Sequence, residues 1–251
     1  MSTTFSYEEY VTDKPFLDAY NDYQRRYAST IRESDRVLLK MVSDWIGQNQ
    51  GSTARPRLLD IGCSTGNFLL HLKRLAGDKL AMTGGDLAVS SLDSCRANPE
   101  LAGIDFQVMD ITELPAEAFD IVVVNAVLYM FTDEQYQAAL RGLRRALRPG
   151  GAVMVFDFAH EFAQDIEIIE KTSSHPNGLR LSFRPMEKIS RSTAEAGFSK
   201  AEFQPFVLPI DLPRPADNAE IITYTVKNEQ GARMAFRGTL YQPWCHMIYR
   251  A

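Results

Sequence analysis

Short apolar segments alternate with amphipathic helical segments between residues 57 and 158, and this alternation constrains the fold more than any other feature. A connection between parallel strands has to cross the sheet, and a helix is the usual way of making that crossing. Regular alternation with short joins therefore predicts an α/β fold, in which helices cover both faces of a mostly parallel sheet. Strands are predicted at residues 57–61, 79–86, 106–110, 119–125 and 152–158.

The first fifty residues are predicted to form an N-terminal helical cap, 1–50, ahead of a main domain that spans residues 51–251. Their apolar side chains recur at helical spacing, in a first stripe of aromatic residues and a second stripe between Val37 and Ile46. The polar stretch 47–54 is predicted to link the cap to the domain. The aromatic stripe consists of Phe16, Tyr20, Tyr23 and Tyr27.

The last third of the chain has a different pattern. A helix is predicted near residues 186–196, followed by a strand at about 200–207. Pro209, Pro213 and Pro215 exclude regular structure in the next segment. Apolar and polar residues then alternate on either side of residues 227–231, which predicts a C-terminal antiparallel hairpin, with a final strand near 245–249.

Each predicted strand of residues 57–158 carries a polar residue at its end. In an open parallel sheet, ligands bind beyond the carboxyl ends of the strands, near the point where the strand order reverses. Polar ends on five strands therefore predict a ligand site at this edge of the sheet. They are Asp60 with the turn Gly62–Gly66, Asp86, Asp110, Asn125 and Asp157.

The segment Leu58–Asn67, an apolar strand with an acid and a glycine-rich turn, resembles motif I of the class I S-adenosylmethionine-dependent methyltransferases. The family pattern commonly has a glycine where this chain has Ser64. The resemblance covers about residues 57–158 and implies a Rossmann-like fold, S-adenosyl-L-methionine as the cofactor and methyltransferase activity. On this basis residues 57–158 are the cofactor half of the domain, and residues 159–251 supply the substrate side.

The resemblance also implies how the strand ends hold the cofactor. Gly62 lets the backbone approach the methionine portion without a Cβ in the way, and Gly66 permits close helix–strand packing. Asp86 corresponds to the acid that accepts hydrogen bonds from the ribose hydroxyls, and Asp110 to the acid that accepts from the adenine amino group. The implied cofactor-binding residues are Asp60, Gly62, Cys63, Ser64, Gly66, Asp86, Leu87, Asp110, Ile111, Asn125 and Ala126.

Three other functions match parts of the sequence. The turn 62–66 fits the G-x-S-x-G nucleophile elbow of an α/β hydrolase using Ser64, with Asp157 and His246 following in the order such enzymes use. That fold, however, needs several strands before the motif, where only helical patterns occur. A nicotinamide-dependent dehydrogenase is disfavoured because Ser64 and Asn67 stand where G-x-G-x-x-G has glycines. A non-catalytic S-adenosylmethionine-binding protein is the third alternative.

Methyl transfer from a sulfonium is an in-line displacement on an activated donor, so aligning the nucleophile with the methyl carbon is the main task of the enzyme. A hydroxyl acceptor also needs a base, and histidine, with a pKa of ~6.5, suits that role. His160, just after the fifth strand, is the first candidate for the catalytic base, and His246 is the second. The histidine and cysteine spacings match no metal motif, so no metal is predicted, and Mg²⁺ at Asp157 with Asn125 is the one alternative.

The acceptor is predicted to be a small molecule of the sugar or natural-product type, methylated on oxygen or nitrogen. Enzymes of this class that methylate base or amide nitrogens in nucleic acid and protein usually carry (Asn/Asp)-Pro-Pro-(Tyr/Phe) where this chain has Asn125–Leu128. The net charge of −5 gives no reason to expect a nucleic-acid or membrane partner. Pocket walls are expected from Tyr7, Tyr10, Tyr129, Tyr224, Tyr241 and Trp244.

A cytoplasmic location is predicted from two features. No signal peptide or membrane-spanning apolar run is visible. The three cysteines are odd in number and widely spaced, which favours free thiols in a reducing compartment. The sequence contains no feature that fixes the oligomeric state.

Overall fold

The structure is a computed structural model that describes part of the N-terminal region and most of the main domain. The aromatic stripe of the predicted cap lies outside the described residues, as do Tyr7, Tyr10 and most of the predicted linker. The described residues are Lys14, Leu17, Asn21, Asp22, Gln24, 28–49, 55–171, 178–216 and 223–251.

Strands and helices alternate through the first half of the domain, as predicted. The first elements whose bounds the structure describes are α1 (Glu33–Gln48), β1 (Arg57–Ile61), α2 (Asn67–Ala76), β2 (Ala81–Asp86), α3 (Val89–Ala97), β3 (Asp105–Val108), β4 (Phe119–Asn125), α4 (Asp133–Ala146) and β5 (Leu147–His160). The remaining elements are β6 (Ile166–Glu170), β7 (Leu179–Pro185), α5 (Met186–Glu195), β8 (Lys200–Pro205), β9 (Thr223–Lys227), β10 (Arg233–Arg237), β11 (Leu240–Tyr241) and β12 (Trp244–Arg250).

The central sheet has the strand order β3-β2-β1-β4-β5-β12-β8. The ladders from β3 to β5 are parallel, and β12 runs antiparallel between β5 and β8. The order reverses between β1 and β4, and ligands of open parallel sheets bind at the carboxyl ends of the strands at this switch point. The predicted α/β, Rossmann-like fold class is confirmed.

Alternating residues of the central strands feed two separate cores. Leu59 and Val122 belong to a core covered by α4 and α5. Leu58 and Val123 belong to a second core, which α1, α2 and α3 cover. This period-two alternation places Asp60 and Asn125 on the α1 face of the sheet.

Two local patterns account for helices on both faces. The predicted capping box begins α4, because Thr132 Oγ accepts from the Gln135 N–H at 3.3 Å and Gln135 Oε1 accepts from the Thr132 N–H at 3.0 Å. In α1, Leu38, Leu39 and Val42 recur at helical spacing and are buried. The helix extends to Gln48, two residues into the predicted linker.

The second half of the domain contains a hairpin that the sequence patterns did not predict. β6 and β7 pair antiparallel, and β7 continues the sheet by pairing with the last residues of β5. Every residue of β7 is buried, including Arg180 and Arg184. The predicted C-terminal hairpin forms β9 and β10, which with β11 make a separate three-stranded sheet.

The three cysteines, Cys63, Cys95 and Cys245, are buried and unpaired, as predicted. Within the described residues, no helix has the length and apolarity that crossing a membrane requires.

Candidate functional site

The glycine turn after β1 is tied to the end of β2. The N–H groups of Gly62 and Cys63 both donate to the Gly85 carbonyl, at 2.7 and 3.1 Å. Gly62 has a φ of +78°, and a Cβ at this position would lie 2.5 Å from Val127 Cγ2. A side chain at residue 62 is therefore disfavoured both by the backbone conformation and by the Val127 side chain of the loop that follows β4.

The loops after β1 and β4, on the two sides of the switch point where the strand order reverses, each contain a residue with strained backbone. Ser64, after β1, has a φ of +48°, and Ala126, after β4, has a φ of +58°. A non-glycine residue in this region costs about 1–3 kcal/mol and persists only where its surroundings fix it. Here the Ser64 N–H donates to Asp86 Oδ2 at 2.8 Å, and the Ala126 N–H donates to the Phe156 carbonyl at 2.8 Å.

Asp86 ends β2 and is held by backbone donors. Its Oδ2 accepts from the Ser64 N–H and its Oδ1 from the Ala88 N–H, both at 2.8 Å. Burial raises the pKa of this carboxyl, and the backbone hydrogen bonds, including one from Leu87, act in the opposite direction. Since each carboxylate oxygen has further acceptor capacity, Asp86 can fix the glycine turn and still accept hydrogen bonds from a ligand diol.

Asp110 follows β3, at the next strand outward. Its Oδ1 accepts from the N–H and the hydroxyl of Thr112, at 2.8 and 2.7 Å, which forms an Asx turn. Within the described part of the chain, no donor bonds to its Oδ2, and the residue is half-buried. Ile111 beside it is buried against α4. Asp110 therefore presents one acceptor oxygen at the edge of the site.

Asp60 and Asn125 lie at the adjacent ends of β1 and β4. Asp60 is 2% exposed, and its Oδ1 has no hydrogen-bond partner among the described residues. Burial, followed by the negative charges of Asp35 and Asp86, raises the pKa of Asp60 to about 8. Asn125 Nδ2 donates to Asp35 Oδ1 at 2.9 Å, which joins β4 to the start of α1.

Six aromatic rings pack where β4 and β5 end and β12 begins. The Phe158 ring centroid lies 4.0 Å from that of Trp244 and 4.4 Å from that of Phe183. Phe156 stacks on Trp244 at 4.6 Å, and it shares a face of the sheet with Asn125, its partner across β4 and β5. We call the six residues the aromatic surface: Tyr129, Phe156, Phe158, Phe183, Phe206 and Trp244.

The two histidines lie at opposite ends of the aromatic surface. His246 pairs with Phe156 across β5 and β12, with ring centroids 4.6 Å apart. His160 follows Phe158 by two residues on β5 and therefore points to the same face. Their Nε2 atoms contact backbone carbonyls, of Ser34 at 3.0 Å for His246 and of Phe183 at 3.2 Å for His160.

Both rings therefore have a common tautomer. If Nε2 carries the proton that the carbonyl accepts, Nδ1 keeps a lone pair, and both Nδ1 atoms are buried without a partner among the described residues. Burial lowers the pKa of His246 to about 4, so this ring is neutral near pH 7. Each histidine thus offers an unused hydrogen-bond acceptor.

Asp157 and Arg184 fix the loop after β4. Asp157 accepts from the N–H of Tyr129 at 3.1 Å and of Phe158 at 2.7 Å, and burial raises its pKa to about 7. Arg184 of β7 donates to the carbonyls of Leu128 and Phe131, at 3.2 and 2.6 Å. These contacts position Tyr129. The sequence patterns did not predict a role for Arg184, because its strand has no continuous apolar run. The signal that could have found the strand is the alternation of Leu179, Leu181 and Phe183 with polar residues.

The hydrolase alternative has no assembled nucleophile. Ser64 Oγ is buried and has no hydrogen-bond partner among the described residues, whereas the His246 Nε2 atom is bound to the Ser34 carbonyl. A serine nucleophile needs a base within hydrogen-bond reach. In addition, β1 directly precedes the motif and is the first strand described, so the strands that a hydrolase places ahead of its elbow are missing from this part of the chain.

Two of the predicted pocket walls lie elsewhere. Tyr224 and Tyr241 pack on Phe236 in the three-stranded sheet, with ring centroids 5.7 Å away in each case. Tyr129 and Trp244 do belong to the aromatic surface. The three-stranded sheet reaches that surface through Leu240, which packs against the cluster around Phe158.

A cavity of about 490 Å³ lies at the opposite edge of the sheet, between the segment that precedes β4 and the end of α4. Arginines line it, but Arg144 donates to the Gly197 carbonyl at 2.8 Å and Arg145 to the Leu114 carbonyl at 3.0 Å. These side chains hold the ends of neighbouring elements. Within the described residues, no group of three or more His, Cys, Asp or Glu side chains is arranged to hold a metal ion.

The residues at the switch point fit S-adenosylmethionine. Gly62, Ser64 and Ala126, at the carboxyl ends of β1 and β4, have left-handed backbone conformations and are only partly buried, so a ligand can reach their backbone groups. Asp60 Oδ1 and Ser64 Oγ are buried polar atoms without partners among the described residues, which is costly unless a ligand supplies donors. The nearby acids suit a ligand that carries net positive charge, as this sulfonium compound does.

Residues 58–151 match a family described as "Methyltransferase domain". Relatives include a ubiquinone/menaquinone biosynthesis C-methyltransferase of Vibrio parahaemolyticus, 32% identical over 116 residues, or 43% of this chain and 44% of that protein. A tRNA N(3)-cytidine methyltransferase of Danio rerio is 23% identical over 167 residues, or 61% and 47%. The chain thus spans less than half the length of these curated relatives.

Solved structures with the same fold include two methyltransferases. One is a Burkholderia thailandensis 1,6-didemethyltoxoflavin-N1-methyltransferase with bound 1,6-didemethyltoxoflavin and S-adenosylhomocysteine, with a TM-score of 0.58, 16% identity and coverage of 98% of this chain and 90% of that one. The other is an S-adenosylmethionine-dependent methyltransferase from Methanosarcina mazei, with a TM-score of 0.55, 12% identity and coverage of 81% and 95%. At these identities the likeness establishes the fold.

Proposed function

We propose that this chain, whose residues 58–151 form a class I, S-adenosylmethionine-dependent methyltransferase domain, is an enzyme that methylates an oxygen or nitrogen of a small molecule. One observation carries the proposal. The glycine turn after β1, the acid at the end of β2 and the strained loop after β4 meet at the switch point, beside the aromatic surface and the buried Nδ1 atoms of His160 and His246.

On the cofactor side, the chain supplies acceptors at successive strand ends. Asp86 has lone pairs for the ribose hydroxyls while its backbone contacts keep it in place. Asp110, after the next strand, keeps one carboxylate oxygen that no described residue binds, and the adenine amino group would bind there. Gly62 and Ala126 allow the backbone of the two loops to approach the methionine portion. When bound, the cofactor supplies an activated methyl group.

On the acceptor side, Tyr129, Phe206 and Trp244, the partly exposed members of the aromatic surface, favour a planar ring. Aromatic side chains bind flat, mostly apolar ligands through stacking and edge contacts. Asp157 and Arg184 hold the loop that carries Tyr129, which keeps this part of the surface rigid. Rigid walls restrict the nucleophile to a narrow range of directions, and alignment is the main requirement of the displacement.

His160 and His246 have different roles in this proposal. The pKa of about 4 makes His246 a weak base near pH 7, so its Nδ1 orients the acceptor through a hydrogen bond. His160 is the residue that removes a proton from the acceptor. The carbonyl of Phe183 fixes its ring and leaves Nδ1 for that transfer.

The test of the cofactor site is calorimetry with S-adenosylhomocysteine. The wild-type chain is expected to bind one equivalent with a Kd in the micromolar range, and Asp86→Ala is expected to weaken binding by a factor of about 100, because a charged acceptor of two hydroxyls is lost. Asp93→Ala, which removes an exposed acid from α3, is the matched control and should bind like the wild type. No binding by folded wild-type protein would refute the proposed function.

The test of the acceptor side is a transfer assay with hydroxylated and amino-substituted ring compounds. His160→Gln is expected to lower kcat by a factor of roughly 10²–10⁴, since general-base catalysis contributes that much. His246→Gln should mainly raise KM for the acceptor, by about ten-fold, because a hydrogen bond to the acceptor is lost.

Near-wild-type kcat in His160→Gln at every pH would remove the base from the proposal. NMR of the product then shows where the methyl group is placed. A new carbon–methyl bond would contradict transfer to oxygen or nitrogen and would align this chain with its relative named as a C-methyltransferase.

A further inference from the structure

Asp35 is a buried acid that the helical cap brings into the site. It lies in the first turn of α1, is 3% exposed and accepts a hydrogen bond from Asn125 Nδ2 at 2.9 Å across 90 residues of sequence. Its position three residues before Leu38 places it on the buried face of the helix. It lies outside residues 58–151, which match the methyltransferase domain.

Asp35, Asp60 and Asp86 form a buried acidic group at the carboxyl ends of the strands. Burial raises the pKa of all three carboxyls. The negative charges of Asp35 and Asp86 both act on Asp60, so the three side chains share one electrostatic environment. Like charges in a buried place are costly unless a cation or protons accompany them.

The protein compensates the members of this group unequally. Arg32, His71 and the amide of Asn125 stabilise the charged form of Asp35. Backbone N–H groups do the same for Asp86. Both charged neighbours that act on Asp60 are negative, and its buried Oδ1 has no partner within the described residues. Among the described residues, Asp60 therefore has no positive hydrogen-bond donor beside it, and Asp35 lies close enough to act on it through its charge.

The kind of donor that Asp60 lacks indicates which group of the cofactor supplies it. S-adenosylmethionine contains two positive centres, a sulfonium and an α-ammonium. The sulfonium has no N–H or O–H and cannot satisfy a carboxylate oxygen by a hydrogen bond. An ammonium has three donors and can bond to several oxygens at once.

We propose that Asp35 of α1 and Asp60 of β1 together bind the α-ammonium group of the cofactor, so that the helical cap completes a site that the methyltransferase domain forms only in part. The proposal rests on the proposed function and extends it to a residue of the cap. Asp35 acts here through its charge on the ligand, and its bond to Asn125 fixes the carboxylate in place.

The test compares two ligands by calorimetry. S-adenosylhomocysteine carries the α-ammonium, and 5′-methylthioadenosine lacks the whole amino-acid portion. Asp35→Asn is expected to weaken S-adenosylhomocysteine by about ten-fold or more, because a charged hydrogen-bond partner is lost, and to change 5′-methylthioadenosine by less than about two-fold. Asp35→Glu, which keeps the charge, should recover part of the preference. Asp44→Asn, at an exposed position of the same helix, is the matched control.

Three outcomes decide the proposal. Selective loss of S-adenosylhomocysteine affinity in Asp35→Asn supports it. Equal loss for both ligands, or no loss for either, overturns it, since Asp35 would then only dock the helix or have no part in binding. If Asp35→Asn does not fold, Asp35→Ser is used for the same comparison. Failure of the wild-type chain to bind S-adenosylhomocysteine refutes the proposed function instead, so the two failures are distinguishable.

Discussion

Replacement of Gly142 by alanine is expected to destabilise the folded protein by about 3 kcal/mol, although alanine is the better helix former. Gly142 lies inside α4, and a Cβ there would overlap the backbone carbonyl of Ile111 and closely approach the backbone of Thr112. Because the obstacle is backbone, no rotamer change can relieve it. Urea unfolding of the wild type and the variant measures the loss.

Gly47→Ala is the matched control for this substitution. Gly47 is also a helical glycine, in α1, but no atom lies within 4 Å of a Cβ built on it. Its replacement should leave stability unchanged or raise it by up to about 1 kcal/mol, since glycine is the more flexible residue in the unfolded chain. Equal effects of the two substitutions would contradict the close approach of α4 to Ile111.

The fold of the cofactor half could be predicted because its signals are local. β4 occupies the predicted residues 119–125, and α4 begins at the predicted capping box Thr132–Gln135. Apolar runs, glycine turns and caps act over a few residues, so one segment of sequence contains the whole signal. The predicted second and third strands differ from β2 and β3 by only one or two residues at an end.

β7 was not predicted because its stability comes from distant partners. Leu179, Leu181 and Phe183 alternate with Arg180, Ser182 and Arg184, a pattern that resembles an exposed edge strand. In the fold, Ser182 and Arg184 instead bond to the Phe131 carbonyl, about fifty residues earlier in the chain. Polar side chains that are buried in this way have no signature in a local window.

The candidate site, like the fold, could be predicted only where local sequence patterns contain the signal. Asp86 and Asp110 come after short apolar strands, and the topology alone brings such ends together. Asp35 has no such marker. It follows the buried phase of its helix, with Leu38 and Val42, but only the docking of α1 beside Asn125 shows that it reaches the site. The roles of His160 and His246 stay predictions that the transfer assay tests.

The second large expected effect is the contribution of Asp60 to the pH dependence of stability. The free energy of unfolding of the wild type, relative to that of Asp60→Asn, is expected to fall as the pH rises from about 4 to about 8. Burial and the charges of Asp35 and Asp86 raise the pKa of the folded-state carboxyl from 3.8 to about 8. Between these values the unfolded chain is ionised while the folded protein keeps its proton, so each rise in pH favours the unfolded state.

The difference between the folded-state and unfolded-state pKa values of Asp60 corresponds to a loss in the free energy of unfolding on the order of 5 kcal/mol, because one pKa unit is worth about 1.4 kcal/mol. The stabilising contribution is complete below the unfolded pKa and lost by the time the pH has passed through the folded pKa. Urea unfolding at several pH values measures it, and the asparagine variant, neutral at every pH and of the same size, subtracts the other titrating groups. A difference that is constant with pH would contradict the raised pKa of Asp60.

Saturating S-adenosylhomocysteine should reduce this pH dependence in the wild type. An ammonium beside Asp60 favours the charged carboxylate, which lowers its pKa in the complex and narrows the gap to the unfolded chain. Ligand binding near pH 7 is then accompanied by proton release, which calorimetry detects as a dependence of the heat on the ionisation enthalpy of the buffer. Asp60→Asn should show no such release from this position. Equal proton release in the two proteins would place the ammonium away from Asp60, and with it away from Asp35.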